Sequence, residues 1–269
     1  MFLSRRARIA LRAFTIAILA VLYAPILYVA RLSVNTAKNY AWPPRGFTLD
    51  WWGRAIHQPG PRSALLHSVE TGSWATFIAL VLGTLAAFAL TRFKFFGRQT
   101  VSLAIILPIA LPGIVTGIAL LSAFQRIGTE LSVTTLVIAH ATFCVVNVYN
   151  NVGARLRRMP SNAAEASADL GADGLQTFRY VTFPLLRSAL LAGGLLAFAL
   201  SFDEIIVTTF TAGIGYKTLP LWFADNFARP NAIPTVNVVA TFVVLVSIIP
   251  VYVAQRLIDR PIEPGAAAT

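Results

Sequence analysis

Six stretches of this chain, roughly 13–31, 67–90, 101–124, 133–152, 188–210 and 236–254, each run for about 20 mostly apolar residues. Backbone polar groups in hydrocarbon must be hydrogen-bonded within the segment, so runs of that length cross a bilayer as helices. No stretch alternates apolar and polar residues as a barrel strand would. Charged residues make up 12% of the chain, against about 25% in an average soluble domain. The sequence therefore predicts an all-α polytopic membrane protein. Its six-helix transmembrane domain covers 13–254, between an N-terminal segment 1–12 and a tail 255–269.

Arg5, Arg6, Arg8 and Arg12 precede the first run, as basic residues precede a secretory leader. Its roughly 18 apolar residues exceed a leader's usual 7–15, and cleavage after Ala24 or Ala30 would put Leu22 or Tyr28 at the small-residue position. The run reads as an uncleaved anchor. Six spans place both termini on one side. Segments 1–12, 91–100, 153–187 and 255–269 hold 14 Lys and Arg, against 8 in 31–66, 125–132 and 211–235. The positive-inside rule makes the richer set, and both termini, cytoplasmic. Topology thus accounts for the net charge of +11 without nucleic acid as a partner. The outer loop 32–66 carries Trp42, Pro43, Pro44, Trp51 and Trp52, which fit either a headgroup-level belt or a docking surface for a partner outside the membrane. The short tail Pro264–Thr269 reads as disordered.

Enzyme chemistry finds no support. HExxH, paired CxxC and GxSxG patterns are absent, Cys144 stands alone, and His57, His67 and His140 are scattered. No catalytic residue, metal site or cofactor is predicted. No Gly-Lys dipeptide occurs, which excludes a P-loop. Any ATP-driven movement needs a nucleotide site on another chain.

The inner loop 153–187 has the most fully specified local physics. From Asn162 it reads NAAEASADLGADGLQTFRYVTFP. Pro160 suits a helix entry, and Asn162 with Glu165 has the form of a capping box. Gly171 can take the left-handed conformation that ends a helix. Asp173 and Gln176 repeat the cap pattern, starting a second helix along the membrane surface, and Pro184 falls where that helix bends into span five. Ala163, Ala164, Ala166, Ser167 and Ala168 cover the first helix with small side chains, which permit close approach by a partner. An amphipathic loop helix resting on lipid is the other reading.

This loop resembles the EAA motif of ABC importer permeases: Glu-Ala-Ala, three residues, Gly, nine residues, Ile, one residue, Leu-Pro. Glu165, Ala166, Gly171 and Pro184 match at that spacing, while Ser167, Val181 and Phe183 replace Ala, Ile and Leu. The third run, LPIALPGIVTGIALL, the fifth, SFDEIIVTTFTAG, and the Trp-rich outer loop look like the second permease subunit of spermidine/putrescine-type importers. The resemblance implies a type I importer fold in a bacterial inner membrane and half of a translocation path for a small cation, a polyamine in those importers. It also implies three partners: a second permease, an ATPase dimer gripping the loop through Asn162, Glu165, Ala166, Ser167, Gly171 and Pro184, and a periplasmic binding protein.

Polar residues inside apolar runs need a partner, a cavity or an interface. Asp203 and Glu204 interrupt the fifth, where a carboxylate costs about 2.5–3.5 kcal/mol unless it faces a cavity or a partner. Read as one helix, the span puts Asp203 about 22 Å from Ser188, in its outer part. A substrate path or gate, an ion pair with a neighbouring helix, and capping at the interface all fit the pair. Glu70 reads as interfacial. Pro108, Pro112 and Gly113 in the third run suggest a kinked helix lining a cavity, and Gly113 with Gly117 equally suggests close helix packing. A self-contained proton-coupled transporter or channel, using Asp203, Glu204 and His140, is the alternative function, although no second related half is found.

Overall fold

The computed structural model describes residues 4–40, 43–160 and 162–258 and is 81% helical, with no strand among the described residues. Trp42, most of the tail 255–269 and the first three residues of segment 1–12 lie outside that set. Among the described residues, five helices are long and apolar enough to cross a membrane, and a bent pair makes a sixth if it counts as one span. Backbone proximity divides the chain into two units, 1–62 with 223–251 and 63–222 with 252–269.

The first unit begins with α1 (Arg5–Leu32), whose N-terminus is capped by Ser4 Oγ accepting from the Ala7 N–H at 3.3 Å. The helix is exposed from Arg5 to Leu27. A helix apolar on every side needs lipid or another protein as its surroundings. Beyond it, the fully buried Asn35 organises the outer loop. Its Oδ1 accepts from the Ala37 and Arg45 N–H groups at 3.3 and 3.2 Å, and its carbonyl accepts from Trp51 Nε1 at 2.9 Å. Trp51 lies on α2 (Asp50–His57), with the Arg54 guanidinium 4.9 Å from its ring centroid.

The second unit is built around α6 (Val133–Arg158). The remaining helices are α3 (Pro59–Arg92), α4 (Arg98–Ala110), α5 (Gly113–Arg126), α7 (Asn162–Asp169), α8 (Gly174–Thr177), α9 (Phe183–Asp203) and α10 (Ile206–Thr211). Two more, α11 (Leu219–Phe227) and α12 (Ile233–Ile258), follow and run on into the first unit. A capping box starts α6: Ser132 Oγ accepts from Thr135 N–H and Thr135 Oγ1 from Ser132 N–H, at 3.4 and 2.8 Å. Small side chains are frequent in the core, among them Ala79, Ala87, Cys144, Val148, Val152 and Ala197, beside larger ones such as Leu186. The small residues let the backbones approach. A Cβ on Gly83 of α3 would sit 2.8 Å from Val148 Cβ, and one on Gly193 of α9 would sit 3.3 Å from Val148 Cα. Val148 is thus gripped from both sides.

Two expected spans are broken. The third is not one kinked helix: α4 and α5 meet at 110° across Leu111 and Pro112. Leu111 takes an extended conformation (ψ 144°), to which the residue before a proline is driven. Pro108 stays inside α4 without interrupting it. The fifth run does not reach 210 as one helix either. It stops at Asp203, Glu204 is extended (ψ 120°), and α10 starts afresh.

Gly83→Val should destabilise the purified protein by about 1–3 kcal/mol, as overpacked cores do. The readout is a lower thermal midpoint in detergent; an unchanged midpoint would contradict the close α3–α6 approach.

Candidate functional site

The inner loop folds as a capped helix, a glycine turn and a second capped helix. At the end of α7, Ala172 N–H bonds the Ser167 carbonyl at 3.1 Å and Gly171 N–H bonds the Ala168 carbonyl at 2.8 Å. This is a Schellman turn. Gly171 has φ +83°, and an added Cβ would meet nothing within 4 Å, so glycine is required there by conformation rather than by space. The second capping box forms as predicted: Asp173 Oδ1 accepts from Gln176 N–H at 2.8 Å and Gln176 Oε1 from Asp173 N–H at 2.9 Å. The first differs, because Asn162 is already the first helical residue rather than the cap. Ser167 holds the two helices together, its hydroxyl 3.0 Å from Thr177 Oγ1. Glu165, Ala166 and Leu170 are exposed, as are the apolar side chains of Leu175 and Tyr180.

Pro184 does not end the second helix. Residues Phe178–Thr182 form a π turn, in which the Phe183 N–H reaches back five residues to the Phe178 carbonyl. Such a turn sits where the proline's missing N–H and ring would otherwise break the α-helical ladder. The segment Gly174–Asp203 is therefore one helix of 30 residues, about 45 Å long. The expected surface helix and the fifth span are a single rod.

That rod is bonded to α6 along most of its length. Arg155 Nε donates to the Leu185 carbonyl at 2.9 Å, Val148 meets Gly193, Cys144 Sγ lies 3.2 Å from the Ala197 carbonyl, and His140 Nδ1 lies 2.8 Å from Ser201 Oγ. From Val148 to His140 the contacts step one helical turn at a time, up one helix and down the other. Sequence analysis missed this seam. Its signal was present as small residues at fourfold spacing, Ala189, Gly193, Ala197 and Ser201.

At the far end of the rod the two breaks meet. A Cβ on Gly113 would lie 3.7 Å from Ile206 Cβ, and one on Gly117 would lie 2.6 Å from Phe210 Cδ2. The starts of α5 and α10 thus lie side by side, and the predicted glycine packing has α10 as its partner. Asp203 ends α9 and is exposed. Glu204 is half-buried, and its Oε1 accepts from the Val207 N–H at 2.9 Å, capping α10. The two carboxylates are therefore not successive positions of one helix, and they differ in what they are free to bind. His140 bonds hydroxyls at both ring nitrogens, Ser201 at Nδ1 and Thr208 at Nε2 (3.0 Å), not the carboxylates a proton relay would use.

A second cluster fixes the loop after α10 to α3. The Tyr216 ring stacks on His67 with centroids 3.9 Å apart, and its hydroxyl donates toward Glu70 Oε2 at 3.0 Å. Burial, with the Glu70 carboxylate adding to it against the opposing Thr71 bond, pushes the Tyr216 phenol up to about 12. It remains a donor at any physiological pH. His67 and Glu70 looked isolated in the sequence because their partner lies about 150 residues away, at Tyr216 and Lys217. Tyr216→Phe should speed amide hydrogen exchange in 212–218 about fivefold, the effect of losing a net bond of about 1 kcal/mol; unchanged exchange would show that the cluster does not hold the loop.

Residues 79–264 match the family described as "Binding-protein-dependent transport system inner membrane component". The spermidine/putrescine transport system permease protein PotC of Haemophilus influenzae is 33% identical over 245 residues, covering 91% of this chain and 95% of the relative. The putrescine transport system permease protein PotI of Escherichia coli is 33% identical over 230 residues, covering 82% and 81%. Among solved structures, a chain of a bacterial ABC transporter that imports the acidic polysaccharide alginate superposes with a TM-score of 0.71 at 17% identity, covering 95% of this chain and 99% of that one. At that identity the likeness carries the fold alone.

Proposed function

We propose, from the premise that this chain belongs to the binding-protein-dependent transport system inner membrane components, that it is one transmembrane half of an ATP-driven polyamine importer. The chain is a multi-pass membrane protein and a transport subunit rather than an enzyme. Its work is mechanical. A bacterial inner membrane, cytoplasmic termini, a second permease forming a heterodimer, an ATPase dimer and a periplasmic binding protein complete the reading.

The single observation that carries the mechanism is the rod. A helix of 30 residues joins the exposed inner loop to the break at Asp203 and Glu204. Closure of the ATPase dimer pushes on α7 through Asn162, Glu165, Ala166 and Ser167. The Schellman turn at Gly171 and the Ser167–Thr177 bond pass the push to α8, and the π turn before Pro184 lets it continue into α9. The rod is stiff between its ends, so displacement emerges at Glu204, where the helix is interrupted. Pro112 and Gly113 at the α4–α5 corner stand beside that point, so the two interruptions can open together. Asp203, the exposed carboxylate of the pair, offers a charge to a substrate ammonium; Glu204 holds α10 in place. The names of the 33% identical relatives support a polyamine over other small cations.

In proteoliposomes holding the assembled importer, Gly171→Val should reduce putrescine and spermidine uptake at least about tenfold while ATP hydrolysis continues, because a β-branched residue is strained at positive φ by about 1–3 kcal/mol. Asp203→Asn should lower uptake of these cations without lowering assembly. Normal uptake in Gly171→Val would overturn the lever, and normal uptake in Asp203→Asn would overturn the acidic path.

A further inference from the structure

We propose that His140 is the positioning residue of this path: its imidazole bridges the interruption at Glu204, bonding α9 on one side and α10 on the other. The inference rests on the reading of the break as part of the path.

Hydrogen counting fixes the arrangement. The one proton of Thr208 Oγ1 goes to the Glu204 carbonyl at 2.7 Å, so toward the ring that oxygen can only accept. The 3.0 Å contact is therefore Nε2–H donating to Thr208. In the neutral ring Nδ1 is left as an acceptor, and it takes the Ser201 hydroxyl at 2.8 Å. His140, Thr208 and Ser201 are all buried. The chain of bonds runs from the last turn of α9, through α6, to α10 and back to the backbone of the break itself. An interrupted helix leaves carbonyls without partners, and in an apolar setting each must find one. Here the Glu204 carbonyl finds Thr208, and His140 holds Thr208.

Packing alone would not require a donor at one nitrogen and an acceptor at the other. This order is what a break needs when the outgoing helix offers a hydroxyl proton and the incoming one offers a lone pair. The consequence is geometric. The α9 rod cannot slide against α10 without losing one of two bonds to the same ring, so His140 sets where Asp203 and the Glu204 cap stand when substrate arrives.

Uptake kinetics of the reconstituted importer test this, with putrescine and spermidine as probes. His140→Leu should raise the uptake KM about threefold to tenfold, as loss of interhelical side-chain bonds does, with a smaller change in maximal rate. His140→Gln, whose amide offers an acceptor oxygen and a donor NH2 group, should restore KM to within about twofold. Thr208→Val should raise KM on its own and have no further effect in the His140→Leu background, because the two residues act as one unit. Equal defects in His140→Gln and His140→Leu, or independent effects of Thr208→Val, would overturn the clamp. Should His140→Leu fail to assemble, Ser201→Ala and Thr208→Val each remove one arm, and an unchanged KM in both would overturn it. An unaltered KM in Asp203→Asn alongside a raised KM in His140→Leu that His140→Gln restores would instead remove the acidic path and leave the clamp standing.

Discussion

The seam between α6 and α9 carries the rest of the second unit. Lipid supplies no hydrophobic drive between helices, so they associate by close packing and by side-chain bonds. This seam uses both. Glycine at 193 and alanine at 197 bring the backbones together around Val148 and Cys144, while Arg155 and His140 place polar contacts toward either end. Because α9 is continuous with α8, the same seam gives the inner loop a rigid footing. Because α9 stops at Asp203, it also fixes the position of the break. Shifting the seam by one turn would misplace both ends at once.

Function follows from where the chain is stiff and where it is interrupted. A helix transmits displacement along its axis with little loss, and an interruption is where displacement is released. In this chain the Pro184 site, where a bend was expected, is smoothed by a π turn, and the Asp203–Glu204 site, where continuity was expected, is interrupted. Both differences suit the proposed lever, in which motion would enter at α7 and emerge beside the α4–α5 corner. Electrostatics fits this use. The chain has a net charge of +11, yet two carboxylates sit at the interruption, one capping α10 and one exposed. In the proposed mechanism a cationic substrate would find its attraction at the point that the lever moves.

Much of this was legible in the sequence. The apolar runs located the spans because their lengths match the bilayer, Gly171 marked the helix end because few other residues tolerate positive φ, and Asp173 with Gln176 encoded a cap within four residues. What local pattern does not encode was lost. Pro112 announces that Leu111 leaves the helical region, but neither the 110° angle nor the packing of α10 against Gly117 is written in that local pattern. No glycine or proline marks the interruption at Glu204; it is held by Thr208 and by His140 from another helix. The His67–Tyr216 stack likewise joins residues far apart in sequence. The motif resemblance singled out the inner loop, and the fourfold spacing of Ala189, Gly193, Ala197 and Ser201 carried the seam without naming α6 as its partner, whereas the clamp joins residues that no local pattern relates.

The account turns on α9 moving as a rod whose motion is released at Glu204. Paired spin labels in the assembled importer measure this directly, one pair within the rod at Leu175 and Leu200 and one across the interruption at Leu200 and Thr209, with and without ATP trapping. The account predicts a constant distance within the rod and a changed distance across the interruption. A rod that bends at the π turn while the distance across Glu204 stays fixed would contradict it.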